Sequence, residues 1–295
     1  MERMDALAAL LLDHAIRIRP GELFEINGAL PAKPLIKALL RGAAARGAYP
    51  VVELEDDELT RLTLACIDPA HPERTRPMLE KQAAWELAKW ERLAAHIDIG
   101  VDENDAELSA VDGRAMACYR AARTQVRRAM VERTRWVYLH YPTAADAQKA
   151  GLCLDDMTEL FFGAALVDYA AMERRMEPLV RRMERARQVR ISGPDTELTF
   201  SIAGMPAVAC AGRVNIPDGE VYTAPLRTRA SQISRACSPV SGWEMYNSSM
   251  LTPSFLAYTG SSACSASMKA ATPPFFCASA TQCRATVVLP LLSGP

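Results

Sequence analysis

One carboxylate, Glu220, stands inside Asn215-Ile216-Pro217-Asp218-Gly219-Glu220-Val221-Tyr222-Thr223-Ala224-Pro225, a stretch dense in local signals. Pro217 fixes its own φ, Asp218-Gly219 makes a turn that can visit positive φ, and Val221-Tyr222-Thr223 is β-prone. Glu220 is thereby set at the mouth of a strand leaving a tight turn. There it can meet donors arriving from elsewhere in the chain, and we read it as a metal ligand. On spacing alone, a solvent-facing Glu at a strand start is the plainer alternative. The histidines His14, His71, His96 and His140 are isolated and all precede residue 141, which suits structural or surface roles. His140 stands apart because it closes a β-prone run. Cys66, Cys118, Cys153 and Cys210 are scattered and read as small buried hydrophobes. The chain has no Walker A loop, Rossmann glycine fingerprint, CxxC pair or HExxH helix.

The elements that must position these residues follow from periodicity. Met4, Leu7, Ala8, Leu11, Leu12 and Ala15 predict an amphipathic helix over 2–18, closed by Pro20-Gly21. Strand 22–26, helix 34–46 stopped by Gly47, and strand 51–54 follow. Helices are expected near 59–65 and over 77–93, then a short strand at 96–99. Residues 115–133 read as one basic helix whose interspersed Ala117, Ala121, Val126 and Met130 make a solvated amphipathic face, not a nucleic-acid surface. Strand 135–140 ends at His140, before Pro142, at the kind of carboxyl edge where α/β sheets bind ligands. Helices at 143–150, 154–164 and 169–187 complete an N-terminal α/β domain, 1–187, with a partly parallel sheet. The period then changes to strands at 189–191, 198–202 and 208–210. Residues 188–225 are therefore the expected start of a β-rich, α+β catalytic domain.

At 295 residues, 49% hydrophobic and 23% charged, the chain can hold two cored domains. No run approaches 18 apolar residues and no signal-peptide pattern opens it, so the expectation is a cytoplasmic protein without membrane or nucleic-acid partners. The averages hide a break at Pro225. Before it lie 29 basic and 34 acidic residues; after it lie five basic residues and one acid, Glu244. Serine occurs three times before the break and thirteen times after it, and four of the eight cysteines fall there. Residues 226–295 are thus expected to be irregular. Disorder fits poorly with Trp243, Tyr246, Phe255, Phe275 and Phe276, and a disulfide module fits poorly with a cytosolic chain. Out-of-frame translation accounts best for the sudden loss of acids and gain of Ser and Cys.

The Asn215–Pro225 segment resembles the Asn-Ile-Pro-x-Gly-Glu-Val-Phe/Tyr-Thr-x-Pro signature of the thermophilic-aminopeptidase family of dinuclear metallopeptidases (aminopeptidase T and S type). Gly193-Pro194-Asp195-Thr196-Glu197-Leu198-Thr199-Phe200 is similar to the strand pair before it. Collinear with these are Arg19-Pro20-Gly21-Glu22, Arg46-Gly47-Ala48-Tyr49-Pro50-Val51, and the Ala-Gly and Val-Asp-Tyr pieces between Pro142 and Tyr169, so the likeness covers about 4–225. It implies a metal-dependent aminopeptidase acting on peptides, a homodimer in intact relatives, and two divalent ions per site, with zinc, cobalt or magnesium all admissible. Glu220 corresponds to the family's first metal-binding Glu. The further Glu, two His and Asp expected downstream are missing: no His follows residue 140 and no Asp follows Asp218. The expectation is a chain inactive in this truncated form. Leu226-Arg227-Thr228-Arg229 can be encoded so that reading two nucleotides later gives Ala-Asp-Ser, close to the family's continuation. Two other readings stay open: a non-catalytic α/β dimerisation or partner-binding module, and a small-molecule site near His140 and Pro142.

Overall fold

The computed structural model describes residues 2–193 and 196–226, together with the backbone of two short strands at 266–269 and 286–288. Contacts divide the chain into two units. The first runs to Val167 and takes in Gly212–Pro217; the second comprises Asp168–Ala211 and the chain from Asp218.

The first unit is built on five parallel strands: β1 (Leu23–Gly28), β2 (Tyr49–Leu54), β3 (Ala95–Gly100), β4 (Arg135–His140) and β8 (Asn215–Ile216). Their order is β2-β1-β3-β4-β8, and every pair is parallel. The order reverses between β1 and β3, which places a crevice outside the carboxyl ends of those strands. Central strands of such a sheet are covered on both faces, which explains why Phe24, Glu25 and Ile26 are buried in succession, as are Ala95, His96 and Ile97. At the edge, β2 leaves Tyr49, Val51, Val52 and Leu54 exposed.

Helix α1 (Glu2–Ala9) continues through Leu10–Ala15 as a wider, π-type coil. The expected regular helix over 2–18 thus changes pitch. Leu11, Leu12, Ala15 and Ile16 are all buried along it. Helix α2 (Lys33–Ala45) packs on α1. Helix α3 (Asp57–Leu64) is capped by Asp56, whose side chain accepts the Leu59 N–H at 2.9 Å. Helix α4 (Pro72–Trp90) begins at Pro72, a first-turn proline, and carries Pro77 within it, where the sequence reading began the helix.

The basic stretch forms two helices, α5 (Gly113–Ala122) and α6 (Thr124–Arg133), instead of one. Arg123 leaves helical geometry between them, with φ −90° and ψ 1°, and its guanidinium pairs with the buried Glu86 of α4. Arg123 therefore does not belong to a solvated face. Behind these helices Ala83, Trp90, Leu93, Val126 and Ala129 form one core cluster. Helices α7 (Ala144–Ala150) and α8 (Leu154–Ala165) close the first unit.

The second unit opens with α9 (Tyr169–Arg185), capped by Asp168, whose side chain accepts the Ala171 N–H at 2.8 Å. Its buried residues Tyr169, Met176 and Met183 recur every seven positions as a single stripe. That stripe faces a small antiparallel array, since α9 contacts β7 (Val208–Cys210) and β9 (Glu220–Thr223). The helix belongs with those strands by contact, whereas the change of sequence period falls near residue 188. Strands β5 (Gln188–Gly193) and β6 (Thr196–Ser201) pair antiparallel. Two strands from the last quarter, β10 (Ala266–Lys269) and β11 (Thr286–Val288), pair antiparallel with β9 and β5. Beyond Leu226, the remainder of the expected irregular tail, 226–295, lies outside the described residues.

Candidate metal-binding residues

Glu220 is the first residue of β9, half-buried, directly after a turn in which Gly219 has φ 155°. The turn–strand reading of the motif therefore describes its backbone. A Cβ on Gly219 would find Met172 Sδ of α9 at an ordinary 3.5 Å, so the backbone angle, not space, favours glycine there. Across β7, Glu220 is in register with Cys210. Burial, with Asp218 and Glu220 adding negative charge, pushes the Cys210 thiol up to about 12, which keeps it protonated and a poor metal donor. Burial likewise pushes the Tyr169 hydroxyl well above its ordinary range. Among the described residues, Glu220 joins no group of three or more metal-capable side chains. One carboxylate cannot hold two divalent ions, and the described residues bring no second metal-capable group of three to Glu220.

His140 meets different company, at the carboxyl edge of the parallel sheet. Asp102, in the chain beyond β3, His140, at the end of β4, and Asp146, in the first turn of α7, bring one ligand atom each within 4.8 Å of one another. His140 Nε2 lies 3.0 Å from Asp146 Oδ2, and its Nδ1 lies 3.3 Å from the Tyr138 hydroxyl. Asp146 is 6% exposed and is held by a capping box. Its Oδ2 accepts the Thr143 N–H at 3.0 Å, while its own N–H donates to Thr143 Oγ1 at 3.1 Å. Thr143 Oγ1 also lies 2.7 Å from the Asp102 carbonyl oxygen, tying the loop after β3 to the start of α7.

This edge is rich in acid. Burial first, then Asp102, Glu55, Asp56 and Glu107, raise the Asp57 carboxyl. Burial chiefly raises Asp98, whose Oδ1 has an Asn27 amide donor at a long 3.4 Å. Burial, with Asp98, Asp102 and Asp146 adding, pushes the Tyr138 hydroxyl up to about 12. Tyr138 is seated by a neighbour without a side chain: a Cβ on Gly100 would fall 2.3 Å from the Tyr138 oxygen and 2.9 Å from two ring carbons. Gly100→Ala should therefore cost about 1–3 kcal/mol by overpacking. In thermal unfolding that cost should vanish when Tyr138 is also replaced by alanine.

The strand-end position singled out His140, and the structure gives it partners there. Asp102 and Asp146 escaped the sequence reading. Thr143 and Asp146 cap α7 reciprocally, and that local role conceals a second one. Glu220 lies in the second unit and His140 in the first.

The profile of the family described as thermophilic metalloprotease (M29) matches residues 1–245, beyond Pro225, where the sequence likeness was expected to end. Aminopeptidase 2 of Geobacillus stearothermophilus is 26% identical over 274 residues, covering 81% of this chain and 64% of the relative. The solved structure of wild-type AmpT from Thermus thermophilus superposes with a TM-score of 0.61 at 20% identity, covering 77% of this chain and 62% of that one. At that identity the likeness bears on the fold alone. The chain thus spans less than two thirds of the length of either protein. With the family profile covering more than half of the chain, this protein belongs to the thermophilic metalloprotease (M29) family.

Proposed function

We propose that this lineage carries out metal-dependent removal of the N-terminal residue of peptides, with Glu220 as one ligand of a centre of two divalent ions. The observation that carries the reading is the Asn215–Pro225 motif, folded as a turn that delivers Glu220 at the start of β9, inside the span of the family match. Since no His and a single acid follow Pro225 within these 295 residues, the sequence as written supplies too few donors for that centre, and no turnover is expected of it. The test compares this chain with a version whose coding sequence is read two nucleotides later after Pro225. Hydrolysis of leucine p-nitroanilide and of its N-acetylated counterpart is followed with and without Zn2+ or Co2+. Only the shifted version, with divalent metal and a free amine, should turn over. Glu220→Gln should then lower its rate by more than the roughly 100-fold that losing an outer partner of a metal costs. Turnover by the chain as written would overturn the inactivity, and a shifted version without activity would overturn the reaction.

A second reading, a partner-binding or homodimerising module, is favoured by β2. Among the described residues that strand pairs only with β1 and leaves Tyr49 65% and Leu54 57% exposed, an apolar edge of the kind that proteins usually blunt with charge. Among the described residues no helix is long and apolar enough to cross a membrane.

A further inference from the structure

We infer that the first unit carries a divalent-cation site of its own, formed by Asp102, His140 and Asp146 at the carboxyl edge of the parallel sheet. The inference does not rest on the aminopeptidase reading, because it uses no residue of the second unit.

The donor set is two carboxylates and one imidazole, a borderline-hard mixture that suits Zn2+, Co2+ or Mn2+ and leaves positions for water. The donors come from three separate places, the loop after β3, the end of β4 and the first turn of α7, and converge within 4.8 Å. Two of them are fixed by neighbours that are not donors themselves. Tyr138 holds the far side of the His140 ring at 3.3 Å, and the Thr143 backbone N–H holds Asp146 Oδ2 at 3.0 Å. Partners of this kind orient ligands in metal sites.

Lys149 supplies an independent sign that the place suits positive charge. Its ammonium lies 3.7 Å from Asp146 Oδ1 and 3.9 Å from Asp102 Oδ2. Both distances exceed a hydrogen bond, and the close contact of Lys149 goes instead to Asp105. The two carboxylates thus share a cation that neither binds directly. Asp146 Oδ2 faces His140 Nε2 and the capping box, and Oδ1 faces Lys149. A divalent ion among Asp102, Asp146 and His140 would displace Lys149 toward Asp105, where it is already anchored.

His140 Nε2 faces Asp146 Oδ2 at 3.0 Å, and an ion on Nε2 would replace that contact while Nδ1 keeps the Tyr138 hydroxyl at 3.3 Å.

The experiment titrates the full chain with Co2+, following heat and the visible Co2+ spectrum, in wild type and in Glu220→Gln, His140→Gln, Asp102→Asn, Tyr138→Phe and Lys149→Met. Circular dichroism checks that each variant is folded. One Co2+ with a nitrogen-ligated spectrum should persist in Glu220→Gln. His140→Gln and Asp102→Asn should each weaken it by about 100-fold or more, and Tyr138→Phe by about 10-fold. Lys149→Met should tighten it several-fold by removing the competing ammonium. The site is refuted if wild type binds no Co2+ up to millimolar concentration, or if His140→Gln and Asp102→Asn leave Co2+ affinity unchanged. A weaker Lys149→Met would refute the competition.

Discussion

Glu25→Ala should cost the first unit about 3 kcal/mol, because it removes one partner of a buried ion pair and leaves Lys89 only the half-exposed Glu53. Glu25 is 2% exposed in the middle of β1. Its carboxylate lies 2.6 Å from Lys89 Nζ and 3.3 Å from His96 Nδ1, and Lys89 also donates to both oxygens of Glu53 at 2.9 Å. Trp90 walls the network, edge-on to His96 with centroids 5.1 Å apart. Replacing both Glu25 and Lys89 by methionine should recover most of the loss, since the poorly paired charge, not the missing attraction, carries the cost. Urea unfolding of the single and double variants measures both quantities.

The same pair sets limits in pH. Burial pushes the Glu25 carboxyl up, but His96 and Lys89 outweigh it and hold the group below its ordinary 4.5. Its stabilisation is therefore complete above about pH 4.5 and is lost as pH falls through the lower folded pKa. Burial pulls Lys89 down, but Glu25 and Glu53 outweigh it and raise the group above 10.5. That contribution is complete below about pH 10.5 and is lost as pH rises through the higher folded pKa. Glu25→Ala should flatten the acid limb of the stability profile, and Lys89→Met the alkaline limb.

Tyr169→Ala should cost the second unit about 3–5 kcal/mol, the usual cost of emptying a buried aromatic site. Tyr169 is 2% exposed at the start of α9, and its hydroxyl lies against the backbone at Asp218, in the turn that carries Glu220. Truncation should loosen that turn as well as the core. Tyr169→Phe keeps the ring and removes only the hydroxyl, for about 1 kcal/mol. Hydrogen exchange at residues 218–223 separates the two effects: the alanine variant should exchange faster there than its global stability accounts for, and the phenylalanine variant much less so.

Much of the fold was legible because periodicity and caps agree. Strand β4, its end at His140, and helices α7 to α9 fall within two residues of where pattern places them. The failures have local causes. A basic run with helical spacing does not reveal that Arg123 turns to a buried Glu86, because the partner lies on another helix. A leucine stripe does not reveal the wide turn at Leu10–Ala15, because periods of 3.6 and a little more look alike over six residues. Among candidate site residues, turn chemistry marks Glu220 and a strand end marks His140, and the described residues bring further donors only to His140. Asp102 and Asp146 were hidden, because their convergence with His140 depends on the loop that Thr143 ties to α7.

The central claim is that Glu220 is one donor of a metallo-aminopeptidase centre whose other donors are out of register after Pro225. Determining the coding DNA across Glu220 to Arg235, and reading all three frames onward, tests it most directly. The account predicts that the frame two nucleotides later continues with Ala-Asp-Ser and goes on to supply the missing His, Glu and Asp. If the written frame stands and neither other frame supplies those residues, the claim is contradicted, and catalysis by this polypeptide has no centre to run on.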